Sequence, residues 1–249
     1  MPDQSTQREG MRINKYIAHA GVCSRRDADD LVEQGRVKID GETVMEHGTR
    51  VQEGQTVTVD GEEVYPLEFE YILLNKPKDT ISTTEDPKGR QTVLDAIGVP
   101  EDNPSGVFPV GRLDRNTTGV LLVTNDGDLA HRLMHPRYEI PKIYYVRAQD
   151  RVKPHQLDAL ERGVELSDGE AAADQVAYLD PHNKTDIALE LHEGRNRQIR
   201  RMMEALGHDI VQLERAKYSI LTTGRLQRGE WRRLEPEEVR ELYARVDLQ

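Results

Sequence analysis

One aspartate stands between two arginines in the polar segment 111–119, GRLDRNTTG, where Asp114 is flanked by Arg112 and Arg115. A wholly apolar run at residues 120–123 follows directly, so we expect a loop that leads into a buried strand. Arginines close to a carboxyl group favour its charged form, which suits Asp114 to act as a nucleophile or a base. A surface ion pair in a loop would give the same pattern.

A second basic segment, residues 193–201, has the sequence EGRNRQIRR and is predicted to open a helix. The apolar residues of this helix fall on one face, Ile199, Met202, Met203 and Leu206. Arg197 and Arg201 then project from the opposite face, where guanidinium groups suit phosphates. Arg200 lies at the border of the apolar face and can reach a carboxylate in a neighbouring cleft. A solvated charged face is the alternative.

Other residues that could do chemistry give weaker patterns. His131 and His135 have the i, i+4 spacing of a zinc-binding helix, but the sequence offers neither a third ligand nor the H-E-x-x-H glutamate. Asp126 and Asp128 could bind Mg²⁺, although an Asn-Asp-Gly turn followed by a capping aspartate accounts for both. A metal-dependent nuclease built on these two and Asp114 would lose its activity to a chelator. We expect no bound metal ion.

The charge balance at first argues against a nucleic-acid partner, because 34 basic and 45 acidic residues give a net charge of −11. The basic residues are concentrated, however. Residues 195–233 hold ten arginines and lysines against four acids. This part of the chain is therefore suited to a polyanion.

The composition, 36% hydrophobic and 32% charged, is typical of a soluble globular protein. No apolar run approaches the roughly 18 residues of a membrane helix. The polar N-terminus lacks the apolar centre of a secretory signal, so we expect a cytoplasmic location. Cys23 is the only cysteine, which excludes an intrachain disulfide and a cysteine-rich zinc site.

The chain is expected to form two domains. Residues 1–10 lack apolar periodicity and are predicted to be a disordered tail. Residues 11–62 combine two short helices, the second capped by Ser24, with short strands that turn at Asp-Gly pairs. The acidic, proline-containing segment 63–70 is expected to be a linker, and residues 71–249 form a larger domain.

Strands are predicted to outnumber helices in the larger domain and do not alternate strictly with them. This pattern favours a mixed α+β sheet over a doubly wound one. The predicted strands lie at residues 72–74, 120–123, 143–146, 176–179 and 187–191. The predicted helices lie at residues 128–134, 154–162, 196–206 and 236–245.

Four long motifs occur in order along the larger domain: VGRLDRNTTGVLLVTNDGDLAHRLMHP, PKIYYV, HEGRNRQIRRMMEALGH and RGEWRRLEPEEV. With them the chain resembles the RsuA/RluB family of bacterial ribosomal RNA pseudouridine synthases, and most of all its RluB branch. The first module, RINKYIAHAGVCSRRDADDLVEQGRVKIDG, is similar to the small RNA-binding domain named after ribosomal protein S-four. The resemblance implies a small α/β domain followed by a mixed, mainly antiparallel-sheet synthase domain with flanking helices.

The resemblance also implies an activity. Uracil is detached from its ribose, rotated and rejoined through carbon five, without a cofactor, a metal or an energy source. Asp114 would be the essential catalytic aspartate, Tyr144 would lie against the target base, and Arg200 would pair with Asp114. Whether the aspartate adds to the base, attacks the sugar or removes a ribose proton stays open. The implied partner is ribosomal RNA, as 23S rRNA or a pre-ribosomal particle, and we expect a monomer.

The basic residues expected to contact RNA fall into two groups. Those of the first module are Arg12, Lys15, Arg25, Arg26, Arg36 and Lys38; those of the larger domain are Arg112, Arg115, Arg195, Arg197 and Arg201. Two other interpretations stay open, modification of small-subunit 16S rRNA and a non-catalytic rRNA-binding assembly factor. A pure binding protein, however, has no need for Asp114, Arg200 and a stacking Tyr144 together.

Overall fold

The structure is a computed structural model that describes residues 10–248. It divides into two compact units. The first unit ends at residue 70 but also includes residues 100–107, and the second consists of residues 71–99 and the chain from residue 108 onward. Most of the tail predicted at residues 1–10 lies outside the described residues. No helix between residues 10 and 248 is long and apolar enough to span a bilayer.

The first unit combines two helices with short strands. Its elements are β1 Met11–Arg12, α1 Ile13–His19, α2 Arg25–Glu33, β2 Val37–Ile39, β3 Glu42–Thr43, β4 Arg50–Val51, β5 Val57–Val59 and β6 Glu62–Val64. Four strands form an antiparallel sheet in the order β3-β2-β5-β6, and β1 pairs with β4. Ile13, Ile17 and Val32 of the helices pack with Val37 and Val57 of the sheet in one buried core.

Local sequence signals explain these elements. The Ser24 side chain accepts a hydrogen bond from Asp27 N and caps α2, as predicted. The pairs Asp40-Gly41 and Asp60-Gly61 have positive φ at both residues. Such turns match the twist of an antiparallel pair, so they join β2 to β3 and β5 to β6 as tight hairpins.

The first unit extends further than the sequence predicts. Strand β6 pairs with β5, so the chain is still in the sheet at residue 63, where the linker was expected to begin. The acidic composition and the proline favoured a linker. The Asp60-Gly61 turn, however, implies a return strand, and the hydrogen bonds of that strand outweigh its polar composition.

Residues 65–70 and 100–107 also belong to the first unit. Leu67 N donates to the His19 carbonyl at 3.1 Å, and the Phe69 ring stacks on the His19 ring with 4.6 Å between centroids. Residues 100–107 belong to the first unit although they lie between two segments of the second unit in the sequence. No single boundary in the sequence therefore separates the two units. The expected division at residues 63–70 is therefore too simple.

The second unit is built around a large sheet. Its elements are β7 Tyr71–Lys76, α3 Val93–Ile97, β8 Phe108–Pro109, β9 Thr118–Thr124, α4 Gly127–Met134, a 3₁₀ turn Pro136–Tyr138, β10 Lys142–Ala148, α5 Pro154–Arg162, β11 Val164–Leu166, β12 Gly169–Ala171, β13 Gln175–Asp180, β14 Asn183–Leu191, α6 Gln198–Ala205, β15 Ile210–Tyr218, β16 Leu221–Thr222, β17 Trp231–Arg233 and α7 Pro236–Arg245. Strands and helices do not alternate strictly.

The main strand order is β13-β14-β10-β15-β9-β7-β17, with β16 paired to β15 and β8 paired to β9. Every pairing in this sheet is antiparallel except the contact between β15 and β9, which is parallel. The predicted mixed, mainly antiparallel α+β fold is confirmed. Strands β11 and β12 form a separate hairpin.

Two apolar clusters flank the sheet of the second unit. One joins β10, β13 and β14 to the helices α5 and α6, with Leu160 and Met202 fully buried. The other joins β7 and β9 to α4 and α7, with Leu122, Leu133 and Leu242 fully buried. Strand β15 lies between β10 of the first cluster and β9 of the second, in the middle of the sheet.

The sequence does not predict the central strand β15. Its residues, IVQLERAKY, interleave apolar side chains with Glu214, Arg215 and Lys217, and such a run lacks the apolar continuity of a buried strand. The structure nevertheless pairs it on both sides, with β10 and with β9. Tertiary pairing therefore overrides the local pattern here.

The parallel contact between β9 and β15 requires a glycine. Gly119 lies opposite Arg215 and has a φ of +105°. A Cβ atom at this position would lie 2.2 Å from the Arg215 carbonyl oxygen, which is backbone and cannot rotate away. Only a residue without a side chain fits.

We therefore expect Gly119→Ala to lower the free energy of unfolding by about 2–3 kcal/mol, the usual scale of overpacking against rigid neighbours. Chemical denaturation of the two proteins measures the difference. Gly127→Ala is the matched control, because a Cβ at this helical position meets nothing within 4 Å. It should not destabilise the protein, since alanine is the better helix former. Equal effects of both substitutions would contradict the steric argument.

Candidate active site

The loop that carries Asp114 connects β8 to β9 and is held by main-chain contacts. Thr117 N donates to the Asp114 carbonyl at 3.0 Å. The Ser82 hydroxyl donates to the Leu113 carbonyl at 3.0 Å and accepts from Leu113 N at 3.2 Å. These bonds fix the backbone on both sides of Asp114.

A buried lysine completes this support. Lys76, at the end of β7, is fully buried, and its ammonium group lies among four main-chain carbonyls. It donates to the carbonyls of Pro77, Asp114, Arg115 and Thr117 at 3.0–3.2 Å. Burial lowers the pKa of Lys76 to about 8, while the charge of Asp114 opposes that shift. Sequence reasoning missed this residue, for which the one indirect signal was a lysine between an apolar strand and a proline.

Two arginines from the second basic segment reach the Asp114 carboxylate. Arg200 Nε lies 3.5 Å and Arg197 Nη1 lies 3.7 Å from Asp114 Oδ2. Arg200 Nε is buried without a hydrogen-bond partner, so the contact is an ion pair that leaves the carboxylate lone pairs available. The Asp114 side chain is about one-third exposed, at 34%. Its charge is therefore balanced while its oxygens stay accessible.

The arginines next to Asp114 in sequence are not the ones that pair with it. Arg115 forms an exposed ion pair with Asp79 at 3.0 Å, and Arg112 is exposed at the cleft rim. Within residues 10–248, Asp114 pairs only with Arg197 and Arg200. The ion-pair partners of Asp114 therefore differ from the flanking arginines that the sequence suggests, since neither Arg112 nor Arg115 has a side-chain nitrogen within 4 Å of its carboxylate.

The basic segment at residues 193–201 also differs from the predicted helix face. Helix α6 begins at Gln198, and Arg197 precedes it with a left-handed φ of 48°. Arg197 therefore turns towards Asp114 instead of projecting from the far side of the helix. Arg200 lies where the sequence predicts it, at the border of the buried stripe.

Two further arginines of this segment are engaged by the protein itself. Arg201 makes a two-point contact with the Asp168 carboxylate at 2.7 and 3.0 Å. That contact holds the pKa of Asp168 below its usual value. Arg195 donates to the carbonyls of Gly169 and Glu170, which lie in β12 of the same hairpin. The phosphate contact expected of Arg201 stays a prediction, and in the structure its guanidinium has a carboxylate partner.

Tyr144 lies on β10, and its side chain lines the same cleft as Asp114. The cleft has a volume of about 710 Å³. The cationic residues of its lining outnumber the two carboxylates, Asp114 and Glu193. The cationic residues are Arg112, Arg115, Lys142, Arg195, Arg197 and Arg215. An aromatic face, an ionised aspartate and a cationic wall therefore share one space within the second unit. The sequence did not single out Lys142 or Arg215.

The basic residues of the first unit lie mostly on its surface. Arg12, Arg25, Arg26 and Lys38 are exposed, and Lys15 is half-buried. Arg36 is also exposed, and it pairs with the carboxylate of Asp60 in the β5–β6 turn, with Nε 2.7 Å from Oδ1. These side chains can contact a polyanion with little rearrangement of the first unit.

The metal-site interpretation has no geometric support in the described residues. The His131 and His135 rings lie 5.3 Å apart between centroids, and no group of three metal-ligating side chains occurs in residues 10–248. Asp126 caps helix α4 by accepting from Asp128 N and Leu129 N. Its other oxygen accepts from the Tyr71 and Tyr243 hydroxyls. Both carboxylate oxygens of Asp126 are thus used in hydrogen bonds that stabilise the fold.

Comparison with protein families matches both parts of the chain. The family model for RNA pseudouridylate synthases matches residues 70–205, which contain Asp114, Tyr144 and Arg200. The model for the S4 domain matches residues 11–57. The second match lies within the first unit and ends before β6.

Full-length relatives agree with this assignment. The chain is 43% identical to the ribosomal large subunit pseudouridine synthase B of Bacillus subtilis, covering 95% of this chain and 97% of that one. It is 41% identical to a protein of Aquifex aeolicus described as an uncharacterized RNA pseudouridine synthase, with 96% of each chain covered. A crystal structure of a pseudouridylate synthase superposes with a TM-score of 0.66 at 29% identity, covering 93% of this chain and 99% of the other. The chain belongs to the RNA pseudouridylate synthase family and carries an S4 domain at its N-terminal end.

Proposed function

We propose that this protein isomerises a specific uridine of large-subunit 23S rRNA to pseudouridine, with Asp114 as the catalytic carboxylate. The observation that carries the proposal is the position of Asp114, ion-paired with Arg200 beside Tyr144 in a cationic cleft. The family match supports the isomerisation as the reaction. The similarity to the ribosomal large subunit pseudouridine synthase B of Bacillus subtilis supports large-subunit rRNA as the substrate. The proposal includes a cytoplasmic monomer that acts on rRNA or a pre-ribosomal particle.

The cleft geometry suits a base that has left the RNA stack. A uridine inside a helix hides its glycosidic bond, so the nucleotide has to rotate out to reach Asp114. The Tyr144 ring then offers a stacking surface, which contributes about 1–3 kcal/mol per base in comparable sites. The cationic lining compensates the charge of the backbone that follows the flipped nucleotide.

The reaction conserves every atom. The bond between N1 of uracil and C1′ of ribose breaks, the ring rotates, and a bond between C5 and C1′ forms while C5 loses a proton and N1 gains one. Three routes are available to the aspartate: addition to the base, attack on C1′, and removal of a ribose proton. Each begins with a carboxylate beside the ribose, and the guanidinium groups of Arg200 and Arg197 balance the charge of Asp114. No electron acceptor enters the balance, so the reaction needs no redox cofactor; the proposal also includes no metal.

In this proposal Lys76 positions the loop that carries Asp114 and does not contact the RNA. Its ammonium group binds the carbonyl of Asp114 itself, so its proton holds the backbone from which the carboxylate projects. Loss of that proton above about pH 8 would loosen the loop and misplace the carboxylate.

The experiment that tests the function compares pseudouridine positions in rRNA from cells with and without the gene. One uridine of 23S rRNA should lose its modification in the deletion strain, and purified protein should restore it on an rRNA fragment. A lost position in 16S rRNA would redirect the proposal to the small subunit. An unchanged map would refute the assignment to ribosomal RNA.

We expect Asp114→Asn to lower kcat for pseudouridine formation by at least about 100-fold, the scale on which a reacting carboxylate contributes. RNA affinity should change little, because the shape of the cleft is kept. Single-turnover assays and filter binding on the same rRNA fragment measure the two quantities. Asp150→Asn, which changes an exposed carboxylate, is the control and should behave as the parent. Near-parental turnover by Asp114→Asn would disprove the role of Asp114.

We expect Lys76→Met to lower kcat by about tenfold or more with a smaller change in KM, because the carbonyls around Asp114 lose a charged donor. At saturating RNA, kcat of the parent protein should fall as the pH rises through about 8, where Lys76 gives up its proton, and the variant should lack that step. Rate measurements from pH 6.5 to 9.5 test both points. Lys88→Met, at an exposed position, is the matched control. A parental profile in Lys76→Met would contradict the positioning role.

We expect the first unit to contribute RNA affinity without contributing to the chemistry. Deleting it would also remove the packing partner of residues 100–107, so point substitutions are the cleaner test. Arg25→Gln with Arg26→Gln should raise KM at unchanged kcat. It should also lower the slope of log affinity against log salt by about 0.7–0.9 for each lost phosphate contact. The control is Arg240→Gln with Arg245→Gln, exposed arginines of α7 that pair with Glu237 and Glu241. A fall in kcat alone would contradict this division of labour.

A further inference from the structure

Four side chains from two neighbouring strands form the floor of the cleft. In the register of β10 with β15, Lys142 lies opposite Tyr218 and Tyr144 lies opposite Arg215. Directly opposed residues of antiparallel strands project from the same face of a sheet. All four side chains line the cleft that also contains Asp114. The floor therefore carries two cations and two aromatic rings.

Arg215 is a buried charge without a counter-ion. It is 3% exposed, and its Nε donates to the Val120 carbonyl at 2.8 Å. Its Nη2 is buried and has no hydrogen-bond partner, and in residues 10–248 no carboxylate lies within 4 Å of its guanidinium. Its Cζ lies 4.6 Å from the centroid of the Tyr218 ring, which compensates only part of the desolvation. A buried guanidinium normally has an anionic partner.

Lys142 adds a second positive charge to the same floor. Its Nζ donates to the carbonyls of Ile140 at 2.9 Å and His192 at 2.6 Å, and lies 5.9 Å from the centroid of the Tyr218 ring. Burial and the charge of Arg215 lower the pKa of Lys142 to about 8, with Asp174 and Glu193 opposing the shift. Two cations are thus held close enough to destabilise each other, a situation that an entering anion relieves.

We propose that Arg215 and Lys142 form a phosphate subsite on the floor of the cleft, which binds one backbone phosphate of the RNA next to the uridine held by Asp114 and Tyr144. The inference rests on the proposed function and deepens it. A phosphate is the anion that RNA supplies, and a guanidinium fork with a compact ammonium group is a suitable donor set for it. The uracil ring is neutral, so its carbonyl groups could not balance two charges.

The position of this subsite gives it a specific task. Arg112, Arg115 and Arg197 are exposed and already solvated, so a phosphate gains little from them beyond general attraction. At the shielded floor the same contact is stronger because water does not compete for the donors. Because Arg215 is the direct neighbour of Tyr144 across the strands, a phosphate bound there fixes which nucleotide stacks on Tyr144. Arg215 and Lys142 would thus set the register of the RNA relative to Asp114.

The test replaces single phosphates of the substrate. The rRNA fragment that the parent protein modifies is made with one neutral methylphosphonate linkage at a time, at each position within two nucleotides of the target uridine. For the parent protein we expect one linkage at which the replacement raises KM by about tenfold or more, the value of a hydrogen-bonded charge contact. In Arg215→Gln the unmodified RNA should already show that loss, and replacement of the same linkage should add nothing.

Two variants serve as controls. Arg147→Gln removes an arginine from the same strand as Tyr144, but from the exposed side where it pairs with Asp186, and it should keep the parental sensitivity. Lys142→Gln should reduce the increase in KM that the methylphosphonate causes at the same linkage. If circular dichroism shows that Arg215→Gln does not fold, the result for Lys142→Gln tests the subsite in its place. Lys142 is the milder change because its two carbonyl partners can bind the glutamine amide.

The outcomes separate the subsite from the proposed function. If the parent protein converts the unmodified fragment but tolerates every methylphosphonate, the phosphate subsite is refuted and the function stands. If a sensitive linkage remains equally sensitive in Arg215→Gln and Lys142→Gln, another residue binds that phosphate and the inference is overturned. If the parent protein forms no pseudouridine on any rRNA fragment, the proposed function fails and the subsite fails with it.

Discussion

The loop that carries Asp114 depends on one buried ammonium group. Three of the four carbonyls around Lys76 belong to this loop, those of Asp114, Arg115 and Thr117, and the fourth is that of Pro77. A buried lysine is costly unless its donors are used, and carbonyl dipoles aimed at a single charge compensate much of that cost. The backbone position of Asp114 is consequently set by β7. Its side chain stays available for the arginines and for a ligand.

The sheet connects this loop to the floor of the cleft. Gly119 follows the loop directly and allows β9 to approach β15 so closely that Arg215 Nε bonds to the Val120 carbonyl. The same strand β15 pairs with β10, which carries Tyr144. The aspartate, the aromatic face and the two cations of the floor are therefore connected through paired strands within the second unit. Such connections suit a site in which charges have to be oriented before the substrate enters.

The arginines of this arginine-rich chain divide into two classes. Arg201 and Arg36 pair with carboxylates and hold hairpin turns, so their charge is balanced within the protein. Arg197 and Arg200 face an aspartate whose oxygens stay partly exposed, and Arg215 has no carboxylate at all in the described chain. Equal residue types thus differ in function because of which anion, if any, lies within reach.

The sequence by itself determined the fold class, the helix caps and hairpin turns of the first unit, and the motifs around Asp114, Tyr144 and Arg200. These features depend on short-range patterns, such as side-chain periodicity and turn residues with positive φ. The tertiary structure decided which arginines meet Asp114, that β15 is a central strand, and that Lys76 and Arg215 are buried. Those outcomes depend on contacts between residues far apart in the chain, where the environment of a charge is set by the surrounding fold and not by its neighbours in sequence.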